Sequence, residues 1–184
     1  MNAERAAHED VLAFWFEEIE PSQWWAADPG FDARVRARFL PTLQQAARGE
    51  CHAWRASPRG RLAEVIVLDQ FPRNVYRGTA AAFAHDVVAL VLAQEAVAAG
   101  GLERLAPAER TFLLLPYMHS ESRSIHVEAE RLFREWTPAE NYDFELRHKA
   151  IVDRFGRYPH RNEMLGRVSS PEEVAFLEQP GSRF

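Results

Sequence analysis

Apolar and polar positions alternate with a helical period over most of the chain. Between residues 4 and 19 apolar side chains recur every three or four positions, and the same spacing returns over 31–48. Such spacing makes one face apolar, which is typical of an amphipathic helix on a core. Similar patterns predict helices at 58–71, 86–99, 107–115, 121–136, 138–155 and from 171. The sequence therefore predicts an all-α fold of about eight or nine antiparallel helices.

Proline residues set several of the predicted helix ends. Ser57-Pro58 predicts a helix start, because serine caps N-terminal N–H groups and proline suits the first turn. Pro72 is expected to end that helix at Phe71, since the residue before a proline disfavours the helical region. Pro41 is expected to kink or restart its helix, and Pro116 to break another.

The run Val65-Ile66-Val67-Leu68 leaves a local alternative. It is rich in β-branched residues and is bounded by Gly60 and Pro72, so a buried strand is one interpretation. We favour a helix, because the sequence offers no second strand-like run, and a lone strand cannot satisfy its backbone hydrogen bonds.

Length and charge narrow the class of protein. The chain has 184 residues, 47% of them hydrophobic, which predicts one globular domain spanning residues 1–184. Its net charge of −5 argues against nucleic acid or an anionic membrane as the general partner. Oligomeric state is left open.

Cysteine content and the apolar runs indicate the compartment. Cys51 is the only cysteine, so an internal disulfide, a CxxC redox pair and a cysteine-type zinc site are all excluded. The charged N-terminus does not resemble a signal peptide. The longest apolar run, 87–99, is interrupted by Gln94 and Glu95 and is shorter than the ~20 residues of a membrane span. We expect a cytoplasmic protein.

Two polar segments far apart in the chain share a composition. Segment 69–78 follows the apolar run 62–68, and segment 155–162 repeats its aromatic residue, proline and Arg-Asn pair. We expect the two segments to meet and to form one arginine-lined site, since guanidinium groups bind carboxylates or phosphates by paired hydrogen bonds. The predicted ligand-binding residues are Asp69, Arg73, Asn74, Arg77, Arg157, Arg161 and Asn162, with Trp25 at the rim.

Asp69 is the acid around which these arginines are expected to gather. It is predicted in the last helical turn, where its charge opposes the helix dipole at a cost of roughly 0.3–1 kcal/mol. Burial after an apolar run adds a desolvation cost unless the carboxylate is paired. An arginine docked on Asp69 would relieve both costs, either within a ligand site or as a purely structural latch between helix ends.

A third segment, 116–121, supplies candidates for proton transfer. His119 is a candidate general base that Glu121 or Asp69 would orient, and His160 is a second candidate. His119, Glu121, His148 and His160 could alternatively hold a divalent metal. Their spacing matches no local metal signature and HExxH is missing, so no metal is predicted.

The motifs of several cofactor and nucleophile classes are also missing. The chain has no P-loop, no Gly-rich dinucleotide loop and no Gly-x-Ser-x-Gly elbow. No cofactor is therefore predicted.

The motifs at 68–74, 115–121 and 154–162, together with Phe14-Trp15-Phe16 and Trp24-Trp25, resemble the bacterial domain of unknown function 924 family. The resemblance covers nearly the whole chain and implies a tetratricopeptide-like all-helical array. The family has no assigned reaction, so no catalytic role transfers. Its motif positions correspond here to Asp69, Arg73, Asn74, His119, Glu121, Arg157, His160, Arg161 and Asn162.

Three functional hypotheses follow. The first is a pocket for a small anionic ligand, possible in an enzyme, in which His119 or His160 moves protons. The second is a tetratricopeptide-like module that binds an acidic peptide in a groove. In the third, internal acids such as Asp69, Asp86 and Glu121 consume the arginines, and the network is purely structural.

Overall fold

The computed structural model describes residues 3–183 and builds them mainly from helices. The α-helices are α1 (Ala3–Ala13), α2 (Pro29–Ala47), α3 (Pro58–Val75), α4 (Asp86–Ala98), α5 (Pro107–Met118), α6 (Arg123–Trp136), α7 (Ala139–Phe155) and α8 (Pro171–Leu177). A π-helical segment, Phe14–Glu18, extends α1, and short 3-10 turns lie at Pro21–Trp24, His52–Ala56, Ala80–Phe83, Leu102–Arg104 and Pro159–Arg161. Residues 3–183 contain no β-strand, which confirms the predicted all-α fold.

The central helix of the fold is α3, which packs against α1, α2, α4 and α5. Every residue from Leu62 to Leu68 is at most 1% exposed. A helix surrounded on all sides needs mainly apolar side chains around its circumference, and this explains the run, in which Glu64 is the one charged residue. The helical interpretation of Val65–Leu68 is confirmed, because a helix satisfies its own backbone hydrogen bonds inside the core.

Three prolines lie within helices that the sequence predicted to end or restart there. Pro41 lies inside α2, Pro72 inside α3 and Pro116 inside α5, so the predicted ends at Pro72 and Pro116 are wrong. An interior proline costs about 3 kcal/mol. Beyond Pro72, however, Val75 is buried, and burying such a side chain stabilises the fold by about 1.5–3 kcal/mol. Tertiary packing therefore allows α3 to continue beyond Pro72 to Val75.

The C-terminal half is a run of antiparallel helices that places segment 155–162 against the core. α6 packs between α5 and α7, and α5 also contacts α7. Gly156 ends α7 in the left-handed conformation, with φ of 72°, and its N–H donates to Val152 O at 2.8 Å. This conformation suits glycine, and it turns the chain so that Tyr158 becomes fully buried.

α4 is the most apolar helix and is only partly covered. Within the described residues, the stretch Ala80–Ala98 is long and apolar enough to cross a membrane by length and composition alone, with mean hydropathy of 1.5. The same test is passed by core helices of soluble proteins. Here Ala89 and Ala93 are buried, whereas Val87 is 74% exposed.

Candidate functional site

Asp69 is placed in the interior of α3, fully buried, and not in its last turn as the sequence predicted. One carboxylate oxygen, Oδ1, lies 2.8 Å from His119 Nδ1, and Gln70 Nε2 donates to the other at 2.6 Å. Burial acts to raise the pKa of Asp69, but the charge of Arg73 and the contact with His119 hold it well below its usual range. Asp69 is therefore an ionised carboxylate in the protein core.

Arg73 and Arg161, one from each predicted segment, converge on Asp86. Arg73 donates to both carboxylate oxygens of Asp86, at 2.9 and 3.0 Å, and also to the backbone oxygen of Asp69 at 2.5 Å. Arg161 donates from one terminal nitrogen to Asp86 Oδ2 at 3.2 Å. The two distant segments thus meet, as the sequence predicted, and the first residue of α4 joins them.

Arg161 is held by aromatic rings more than by hydrogen bonds. Its guanidinium lies 4.6 Å from the ring centre of Phe83 and 4.8 Å from that of Tyr158. The side chain is 8% exposed, and Nε is buried without a hydrogen-bond partner among the described residues. Burial and the charge of Arg73 lower the pKa of Arg161. A buried cation with unused donors is electrostatically suited to an anion.

His119 caps α5 and presents its ring to Asp69. Asp69 is ionised and can only accept, so His119 Nδ1 carries the proton and Nε2 keeps its lone pair. Burial, reinforced by the charge of Arg73, lowers the pKa of His119 despite the nearby carboxylates. The side chain is 16% exposed, and its Nε2 makes no hydrogen bond with any described residue. His119 is thus a neutral, oriented imidazole.

A second histidine–carboxylate pair lies beneath Tyr158 and was not predicted. His126 Nδ1 is 2.7 Å from Glu145 Oε1, and both side chains are fully buried. His126 Nε2 donates to Ser120 O at 2.8 Å, which fixes the loop after His119. Tyr158 Oη donates to Met118 O at 2.5 Å. The only sequence signal was the placement of polar residues on the buried face of α7.

Glu121 has a positioning role in this structure. Arg167 donates to both its carboxylate oxygens, at 2.6 and 2.9 Å, and the backbone N–H of Tyr158 donates to Oε1 at 2.8 Å. Burial tends to raise the pKa of Glu121, but Arg167 lowers it overall. Arg167 was not recognised in the sequence.

His160 and His148 pack around the ring of Tyr158, with centroid separations of 5.6 and 5.8 Å. Burial lowers the pKa of His160 to about 4 and that of His148 to about 3. Both are neutral near pH 7. Over residues 3–183 no group of three or more His, Cys, Asp or Glu side chains is arranged to hold a metal ion.

The other predicted ligand-binding residues are engaged in separate networks. Asn74 and Arg77 both bind Asp32 of α2, Asn74 at 2.8 Å and Arg77 at 2.6 and 2.8 Å. These contacts fasten the end of α3 to the start of α2.

At the C-terminal segment, Arg157 binds both carboxylate oxygens of Glu173, at 2.7 and 2.8 Å. Asn162 Nδ2 contacts Ser169 and the same glutamate, which anchors α8. Trp25 is 62% exposed and stacks on Phe112 with centroids 5.7 Å apart. The rim role of Trp25 stays a prediction.

Comparison with known proteins identifies relatives but no reaction. A family model described as a bacterial protein of unknown function, DUF924, matches residues 11–181. The chain is also similar to a solved structure of a protein of unknown function from Agrobacterium tumefaciens, at 36% sequence identity and a TM-score of 0.90. That match covers 95% of this chain and 98% of the other. No curated protein matches.

Proposed function

The chain belongs to the bacterial domain of unknown function 924 family, and on that premise we propose that it binds a small carboxylate or phosphate anion beside Arg161, with His119 accepting a proton. The observation that carries the proposal is the state of Arg161. It is a buried guanidinium whose single hydrogen bond to the described residues, to Asp86, is 3.2 Å long.

Asp86 keeps two hydrogen bonds without Arg161, which supports this proposal. Arg73 already donates to both of its oxygens. A buried donor left unsatisfied costs about 1–3 kcal/mol, so keeping Arg161 there has a stability cost. An anion that received hydrogen bonds from Arg161 would offset this cost. The flanking rings of Phe83 and Tyr158 restrict the guanidinium, which lowers the entropy lost on binding.

The pairing of His119 with Asp69 supports a role in proton transfer. A buried carboxylate that orients an imidazole through Nδ1 leaves Nε2 as the proton acceptor, the arrangement of a general base. The lowered pKa keeps this base neutral near pH 7. His160, also neutral there, stays a second candidate. Glu121 would act through position, because Arg167 and the backbone of Tyr158 occupy its oxygens.

A thermal-shift series with phosphate, sulfate, acetate and citrate at constant ionic strength tests the anion site. An anion at a hundred times its dissociation constant stabilises the protein by about 2.7 kcal/mol. Arg161→Met should weaken the response. The control Arg154→Met removes an exposed arginine from the last turn of α7, paired with Glu172, and should keep the response. An unchanged response in Arg161→Met, or none in the wild type, would contradict the proposal.

The proposed proton transfer is tested by a separate assay of catalytic turnover. A panel of acyl and phosphoryl esters assayed with the purified protein should show turnover that His119→Asn and Asp69→Asn abolish without unfolding the chain. Turnover that survives in both variants would remove His119 from the reaction.

A structural network is the second candidate function, and the pairing of the other arginines favours it. Arg73, Arg77, Arg157 and Arg167 each bind a carboxylate through two hydrogen bonds. Under this candidate Arg161→Met would destabilise the protein, because Asp86 would lose an ion-pair partner, and no anion would stabilise the protein. The tetratricopeptide-like array and its peptide groove stay predictions.

A further inference from the structure

A second set of arginines surrounds a cavity near the N-terminal end of α3. Arg61 lies eight residues before Asp69 on this helix, about 12 Å along its axis. The cavity has a volume of ≈ 140 Å³. Its lining includes Arg55, Ser57 and Arg61 on one side and Ala96, Gly101 and Arg104 on the other.

The charges at this cavity are not balanced. Arg55 is fixed by Glu64, which accepts from its Nε and from one terminal nitrogen at 2.7 Å each. The guanidinium groups of Arg61 and Arg104 make no hydrogen bond or ion pair with any described residue. The lining contains three arginines and no carboxylate. The fixed Arg55 still has a second terminal nitrogen available, so the wall carries donors from three side chains.

One of the two helix ends at the cavity also favours an anion. The N-terminus of α3, capped by Ser57, contributes the positive end of its dipole. The opposing C-terminus of α4 would repel an anion, but its last carbonyls are already occupied. Ala99 N–H donates to Glu95 O at 3.1 Å and Gly101 N–H donates to Ala96 O at 2.9 Å.

Gly101 allows this wall to pack closely. A Cβ at this position would lie 2.7 Å from Ala96 O, closer than real Cβ contacts. A side chain here would push apart the two elements that bring Arg104 to the cavity.

We propose that this cavity binds a phosphoryl group, as inorganic phosphate or as the terminal phosphate of a small phosphomonoester. A water molecule needs about 10–15 Å³ and drug-sized ligands occupy about 300–1,000 Å³, so this cavity suits a group of a few atoms. Arginine forks match the oxygens of phosphate. The site is independent of the proposed anion site at Arg161.

Isothermal titration and phosphorus NMR at constant ionic strength test the assignment, with inorganic phosphate and glycerol phosphate as separate probes. We expect saturable binding that Arg61→Gln and Arg104→Gln each weaken about tenfold or more, the loss of a charge-assisted hydrogen bond. Tighter binding of inorganic phosphate would identify the free ion as the ligand. Tighter binding of the ester would identify a phosphorylated metabolite.

Arg147→Gln is the matched control, since it removes one exposed arginine of α7 with no ion pair to a described residue. It should bind like the wild type. Arg161→Met removes the anion site proposed at Arg161 and should keep the phosphate binding that Arg61→Gln and Arg104→Gln weaken. Arg61→Gln, Arg104→Gln and Arg147→Gln should each melt near the wild-type temperature, because these three side chains are outside the core. Absence of saturable binding of either probe, or equal affinity in Arg61→Gln, Arg104→Gln and Arg147→Gln, would overturn the proposal.

Discussion

Two buried histidine–carboxylate pairs lie in neighbouring parts of the molecule and differ in one respect. His119 with Asp69 leaves one imidazole nitrogen without a bond to the described residues, and the ring is 16% exposed. His126 with Glu145 is fully buried, and both of its nitrogens are engaged. The same residue types are therefore fully engaged within the fold at His126 and, at His119, leave an imidazole nitrogen available for the proposed proton transfer. The two histidines differ in whether Nε2 has a hydrogen-bond partner among the described residues.

The carboxylates differ as well. Arg73 and His119 lower the pKa of Asp69 against the effect of burial, whereas burial raises the pKa of Glu145 despite His126. One oxygen of Glu145, Oε2, has no hydrogen-bond partner among the described residues. A carboxylate whose pKa is lowered and one whose pKa is raised respond differently to mutation and to pH, which makes the comparison testable.

The largest effect is expected from Glu145→Ala. The substitution leaves a cavity and a buried imidazole nitrogen without its partner, so it should destabilise the fold by about 3–4 kcal/mol. Urea unfolding measures this loss. Asp143→Ala, which removes an exposed acid from the same helix, should change stability by about 0.5 kcal/mol or less. Equal losses in the two variants would mean that Glu145 has no structural role.

The next largest difference is expected when the histidine of each pair is replaced by asparagine. Asparagine keeps a donor near the position of Nδ1 and loses Nε2. His126→Asn should cost about 2–4 kcal/mol, because Ser120 O loses its donor and the core gains a cavity. His119→Asn should cost about 1 kcal/mol or less, because its Nε2 stabilises nothing in the described fold. Similar losses at the two sites, measured by chemical denaturation, would contradict the distinction.

The pH dependence of stability should differ in sign between the pairs. The pKa of His119 is lowered, so below ~6.5 the unfolded chain binds more protons, and acidification destabilises the fold. The pKa of Glu145 is raised, so its contribution is present in acid and is lost as pH rises above ~4.3.

Unfolding from pH 4.5 to 7.5 checks these signs. His119→Asn should flatten the rise of stability with pH and Glu145→Gln should steepen it, each by at most ~1.4 kcal/mol per pH unit. His148 and His160, with pKa values lowered by burial to about 3 and about 4, add to the same rise in all three proteins. Parallel profiles would refute the assignment.

The last prediction concerns the tautomer of His119 and is tested first on the wild-type protein. Nitrogen NMR of the imidazoles at pH 7 should report His119 as the neutral tautomer with its proton on Nδ1, since Asp69 only accepts there. Asp69→Asn should relax this preference and leave the His126 signals in place. A proton on Nε2 of His119 in the wild type would show that His119 is not in the tautomer that a general base requires.

Prediction from sequence succeeded where a local pattern is compatible with only one low-energy structure. The continuous apolar run 62–68 has to be buried, and a helix is the element that satisfies its backbone there. An arginine beside Asp69 was also predictable, because an acid beside such a run needs compensating charge, and Arg73 lies 3.4 Å from Asp69 Oδ1.

The helix ends predicted at Pro72 and Pro116 were wrong, and the sequence did not predict which arginine pairs with which acid. Local rules end a helix at Pro72, but α3 continues to Val75, whose burial offsets much of the cost of the proline. Asn74 and Arg77 belong to segment 69–78, yet they bind Asp32, which follows Trp25 at the start of α2. Arginines are long and every acid attracts them, so spacing along the chain cannot select among partners.

The amino-acid sequence alone determined that this protein is helical and that acids, arginines and histidines gather near α3, because periodicity and desolvation act locally along the chain. Only the tertiary structure decided that Asp86 joins the two segments, that His126 is locked while His119 is not, and that Arg61 and Arg104 face a cavity without an acid. Electrostatic partners are chosen by distance in space, and that distance exists only after the helices have packed.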